Sequence, residues 1–201
     1  MRASALLPVL VVTILSASSA PSAVSQSAPL ATPDQQMAAA VLPLPEAMRA
    51  GATVLGYREA GRLVELRKGT NGMICLADEP GDERFHVACY ADTMEPFMAR
   101  GRALRAAGVS AGQVDSVRFR EVRAGKLPVP KSAAALWSLS GQGANWDRAA
   151  GTVTGARPLY VIYVPFATEA STGIPATPAQ GTPWLMHPGT PKAHIMFVPR
   201  M

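Results

Sequence analysis

NGMICLADEPGDERFHVACYA, residues 71–91, contains both cysteines of the chain and one of its three histidines. Apolar and polar residues alternate on either side of a Gly81–Asp82 centre, the pattern of a β-hairpin. If the hairpin is symmetric about Asp82, Cys75 lies directly opposite Cys89. Met73, Cys75 and Ala77 then share one face with Phe85, Val87 and Cys89, because side chains alternate along a strand. Two facing cysteines predict a disulfide, provided the chain reaches an oxidising compartment. A reactive thiolate would need an activating base or cation and a reducing environment. The nearest imidazole, His86, falls on the opposite face, across from Asp78, where a carboxylate would orient its ring. The acidic tip, Asp78, Glu79, Asp82 and Glu83, lacks the alternate-residue ligand spacing of a calcium loop and reads as a solvated turn.

The N-terminus supplies the oxidising compartment. It reads MRASALLPVLVVTILSASSAPSAVSQ: one cation at Arg2, an apolar run over residues 5–15, then small residues. This is the layout of a secretory signal peptide, and the run is shorter than the ~20 residues of a membrane-spanning helix. Ala23 and Ser25 suit cleavage before Gln26. The expected division is a signal peptide over 1–25, an Ala/Pro-rich tether with short helical pieces over 26–51, and one domain over 52–201. The mature chain is therefore expected in the periplasm or outside the cell, with no transmembrane segment.

The formal net charge is +5, which in another compartment would suggest nucleic acid; export argues against that partner. Much of the charge lies in residues 99–131, where Arg100, Arg102, Arg105, Arg118, Arg120, Arg123, Lys126 and Lys131 face only Asp115 and Glu121. On one surface they would attract anionic envelope components. Arg102 and Arg105 are the leading candidates, set against the plainer reading of a solvated helix face.

The fold reads as α+β, an antiparallel or mixed sheet of about six to seven strands with two helices packed on one face. Strands over 53–57, 63–67, 73–77 and 85–90 are expected to form an antiparallel meander. Asp92 and Glu95 have capping-box spacing, with Pro96 in the first turn. Met94, Phe97, Met98, Gly101 and Leu104 form an apolar helical face that Gly108 ends. A second helix is expected over 110–124, with Val114, Val117 and Glu121 or Val122 inward. Strands return in AALWSLSG, PLYVIYVPF and KAHIMFVPR, and the nearly continuous apolar run of the second predicts a central strand covered on both faces.

His187 in WLMHPGTP and His194 in KAHIMFVP are separated by a turn able to bring them together. With a carboxylate they would make a zinc or iron site, yet no H-E-x-x-H or related spacing is present, so no metal or cofactor is expected. There is no G-x-S-x-G elbow, S-x-x-K pair or P-loop, and GQGANW does not fit a dinucleotide fingerprint. A dispersed catalytic set would leave no such local pattern. Whether the chain is an enzyme is thus not decided by motifs.

LRKGTNGMICLAD, VACYADTMEPFMARG and PWLMHPGTPKAHIMFVP together resemble a group of exported bacterial proteins of unknown function, in which a T-N-G-x-x-C-L turn and a C-terminal H-I-M strand recur. The resemblance implies no activity. It singles out Asn71, Gly72, Cys75, Cys89, Trp184 and His194 as a framework. Asn71 and Trp184 are therefore candidate binding residues, although N-G also suits a turn needing positive φ. The expected function is non-catalytic binding of a small molecule, an envelope polymer or an envelope protein. The alternative is a metal-dependent or histidine-based hydrolase using His194 with His187 or His86.

Overall fold

A computed structural model describes residues 29–59, 61–81, 83–178 and 181–199. The expected signal peptide and its cleavage point lie outside the described residues. The fold is α+β, built on one mixed sheet of eight strands. In chain order these are β1 (Thr53–Glu59), β2 (Arg62–Arg67), β3 (Met73–Leu76), β4 (Arg84–Ala91), β5 (Ala134–Gln142), β8 (Arg157–Tyr163), β9 (Trp184–Met186) and β10 (His194–Phe197). A two-stranded ribbon, β6 (Trp146–Asp147) with β7 (Thr152–Val153), stands apart. The helices are α1 (Pro33–Ala40), α2 (Glu46–Arg49), α3 (Glu95–Ala106), α4 (Ala111–Arg123) and α5 (Glu169–Thr172).

The sheet order is β2-β1-β3-β4-β5-β8-β10-β9, and the expected meander does not form. β3 lies beside β1 and runs parallel to it, leaving β2 at the edge. The loop after β2 causes this by crossing the start of β1: Gly69 N–H donates to Thr53 Oγ1 at 2.9 Å, and Thr70 N–H to the Gly51 carbonyl at 2.7 Å. A Cβ on Gly69 would lie 2.2 Å from the Thr53 nitrogen, so only glycine permits the crossing.

The β3–β4 hairpin has the expected register, with Cys75 opposite Cys89 and a disulfide between them. Met73, Cys75, Ala77, Phe85, Val87 and Cys89 are all buried, as one face requires. Cys89 Sγ sits 3.2 Å from the Ala40 carbonyl oxygen. A disulfide sulfur has no hydrogen to donate, so this is a packing contact.

That contact reflects a difference from the sequence reading: the segment expected as a tether packs on the sheet. Thr32 and Gln35 cap α1 reciprocally, and Gln36 is buried beside β1. Its Nε2 donates to the Tyr57 carbonyl at 2.8 Å and its Oε1 accepts the Tyr57 N–H at 2.7 Å, pairing the β1 backbone beyond the point where β3 stops running beside it. Ala39, Ala40 and Leu44 are fully buried against this face. Small side chains that make a poor core alone are the ones that let a helix approach a sheet closely.

α3 and α4 cover the opposite face, where Phe97, Met94, Phe119 and Val122 pack around Tyr90, Val161 and Tyr163. The expected capping box is absent: residues 92–94 form a 3₁₀ turn, no side chain caps α3, and the helix begins at Glu95 with Pro96 in its first turn. On α4 the buried residues are Val114 and Arg118. Arg118 lies in the helix–helix contact, its guanidinium 4.0 Å from the centre of the Phe97 ring. Gly101 makes room for it, since a Cβ there would lie 2.8 Å from Arg118 Nη1.

β8 is central, as expected, but covered on one face only. Val161 and Tyr163 are buried, whereas Tyr160 is 39% and Ile162 44% exposed. α1 and α2 reach only across the β1–β4 half of that face. No helix among the described residues is long and apolar enough to cross a membrane.

Candidate functional sites

The pleat of β4 divides its residues between core and solvent. Phe85, Val87 and Cys89 are buried on the α1 face, so Arg84, His86 and Ala88 point to the α3 side. α3 brings Arg102 and Arg105, one turn apart, to the same place. Between them lies a groove of about 530 Å³ with Leu63, Leu76 and Ala88 among its apolar residues. Asp78 and Glu79 also border it. Asp78 Oδ1 accepts the backbone N–H of His86 at 2.7 Å, and so ties the two strands together.

Arg102 is held in place from behind. Its Nη2 donates to Glu95 Oε1 at 2.6 Å and its Nη1 to the Tyr90 hydroxyl at 2.9 Å, while Tyr90 donates to Glu95 Oε2 at 2.5 Å. Burial raises the Tyr90 pKa far above the usual tyrosine value, and the Glu95 hydrogen bond adds to this, so the hydroxyl stays a neutral donor. Arg105 and Arg84 are exposed at the groove.

The cationic segment is therefore not one continuous patch. Arg100 binds Glu121 through two nitrogens, Arg102 pairs with Glu95, and Arg118 is buried with Asp115, which Lys192 also contacts at 2.8 Å. Of the leading candidates, Arg102 and Arg105 do meet, and His86 joins them. Arg84 was missed by the sequence reading, although its two-residue spacing from His86 puts it on the same face.

Asn71 has a structural role. Its Nδ2 donates to the Met48 carbonyl at 2.7 Å and its Oδ1 accepts the Met73 N–H at 3.1 Å, fixing the turn before β3, with Gly72 at φ 73°.

The other histidines form a second cluster. His187 and His194 rings lie 5.6 Å apart, and the Tyr163 ring is 5.0 Å from His194. His194 is buried, and its Nδ1 sits 2.7 Å from the Lys192 carbonyl oxygen. A carbonyl only accepts, so Nδ1 carries the proton and Nε2 keeps its lone pair. Burial lowers the His194 pKa, and the charges of His187 and Lys192 act in the same direction against the carbonyl's opposing pull. Trp184, on β9, has a sealed Nε1 with no partner among the described residues. Also among the described residues, no three His, Cys, Asp or Glu side chains converge as a metal site would need.

No protein-family model, curated protein or solved structure matches this chain, so function is argued from these two clusters.

Proposed function

We propose that the chain is an exported, non-catalytic binding domain whose groove between α3 and the β3–β4 hairpin takes a small organic anion. The observation that carries this reading is the convergence of Arg84, His86, Arg102 and Arg105 on a concave surface with apolar residues in its lining. Its volume lies within the ~300–1,000 Å³ of small-molecule sites. The Glu95–Tyr90 brace behind Arg102 holds one cation in a fixed direction, which lowers the ordering cost of binding. The Cys75–Cys89 disulfide and the leader-like N-terminus support export.

A histidine-based hydrolytic centre at His187 and His194 has less support. Asp115, the carboxylate on that side, is taken by Lys192 and Arg118, and the His194 Nδ1 is held by a backbone carbonyl.

8-Anilinonaphthalene-1-sulfonate, with a sulfonate and apolar rings, is a suitable probe. Its binding should saturate, weaken as salt rises, and fall about tenfold, or ~1.4 kcal/mol, in the R84E/R105E variant. Fluorescence titration checks this, with I162S on the far sheet face as control. Affinity unchanged in R84E/R105E, or lost in I162S instead, contradicts the reading.

A further inference from the structure

The β9–β10 edge carries a donor set of a different kind, independent of the groove. Met186 and His194 are register partners across an antiparallel pair, so their side chains leave the sheet on the same face. In a regular strand His187, next to Met186, would point to the opposite face. It adopts φ 53° instead, one of only two non-glycine residues with positive φ among those described, and this turns its ring back against His194. The turn is held: the His187 carbonyl accepts Thr190 Oγ1 at 2.7 Å and Thr190 N–H at 3.2 Å. A pinned positive-φ backbone thus brings two imidazoles together on the face from which Met186 also projects, the kind of local strain that marks functional sites.

We propose that Met186, His187 and His194 bind a cuprous ion through one thioether sulfur and two imidazole nitrogens. Two imidazoles on one ion, with metal–nitrogen bonds of about 2.0–2.1 Å, place their ring centres roughly 5–6 Å apart, and the observed separation is 5.6 Å. The His194 Nδ1–H donates to the Lys192 carbonyl, the outer-shell bond that orients a ligating histidine and leaves Nε2 for the metal. Among the described residues Nε2 has no hydrogen-bond partner, and it is not one of their sealed unpartnered atoms.

Donor softness selects the ion. Thioether and imidazole favour Cu(I), whereas hard divalent ions favour carboxylate and carbonyl oxygen. Asp115 is engaged by Lys192 and Arg118, and those two cations add repulsion that falls more heavily on a divalent ion than on a monovalent one. Both cysteines are in the disulfide and offer no competing thiolate.

The test uses the full mature protein with its disulfide intact, titrated anaerobically with Cu(I) against bicinchoninate. M186L and H187N are the variants, because both residues are less buried than His194 and asparagine tolerates positive φ. One Cu(I) per chain is expected, with at least tenfold weaker retention in each variant at unchanged thermal stability. Quenching of the fluorescence of Trp184, two residues from Met186 on the same face, should accompany binding. X-ray absorption should show a sulfur neighbour that M186L removes. Failure to retain Cu(I) against the chelator, wild-type retention in both variants, or a sulfur neighbour that survives M186L would each overturn the proposal.

Discussion

Asp115 accepts hydrogen bonds from Arg118, three residues ahead on α4, and from Lys192, on the chain leading into β10. Burial, the largest single influence, would raise its pKa, but the hydrogen bonds and charges of Lys192 and Arg118 together outweigh it, and the carboxyl is held below its ordinary 3.8. A depressed folded-state pKa stabilises the fold fully above the unfolded value, and that contribution is lost as pH falls through the folded value. The acid limb of a plot of unfolding free energy against pH should therefore be flatter in Asp115→Asn than in the native protein. The variant should also be less stable at neutral pH, since it leaves the buried Arg118 guanidinium without its counter-charge. Superimposable limbs would mean that the network carries no pH dependence. Sequence alone counted Arg118 as a surface cation. Its burial depends on Gly101 of a different helix, and helical periodicity within α4 does not reveal that partner.

The β3–β4 hairpin was legible in full because both determinants of its register are local: a two-residue alternation and a short loop. The disulfide follows from that register. For cysteines separated by 14 residues, loop closure in the unfolded chain makes the bond worth about 3 kcal/mol. Cys75→Ala with Cys89→Ala should lower the urea-unfolding free energy by about that amount and leave groove binding measurable at low temperature. A double variant as stable as the native protein would refute this. α3 was equally legible in its apolar face, yet its start was not. Asp92 is spaced to cap a helix, but the chain leaving β4 enters a 3₁₀ turn there, which removes the extended backbone that a capping residue needs.

Coverage of the sheet is uneven across its two faces. α3 and α4 cover one face around Tyr90, Val161 and Tyr163, while α1 and α2 reach only the β1–β4 half of the other. Tyr160, Ile162 and Phe197 are left exposed beyond it. Adjacent residues of β8 should consequently respond very differently to substitution. Val161→Ala should cost about 2 kcal/mol, and Ile162→Thr less than ~0.5 kcal/mol, both measured by chemical unfolding. A large loss at Ile162 would show that this face is covered after all. The apolar run PLYVIYVPF predicted burial on both sides, because composition along a strand records the hydrophobicity of each face but not whether a helix reaches it.

Local periodicity is a property of neighbouring residues, and it sufficed for the α+β class, the hairpin and its disulfide, and the inward face of α3. The short helical pieces expected over 26–51 are present as α1 and α2, but alanine and proline composition does not disclose that Gln36 will bond the Tyr57 backbone 21 residues away. The parallel placement of β3 rests on Gly69 crossing the start of β1, a contact between segments that no repeat or spacing links. His187 and His194 were paired as candidates from the turn between them, and the rings do meet. Met186 entered the cluster through strand register alone. Arg84 and His86 came to Arg102 and Arg105 through the docking of α3 on the sheet. In each case the deciding quantity is which elements become neighbours, and that is set by burial and steric clearance summed over the whole chain rather than by any short stretch of it.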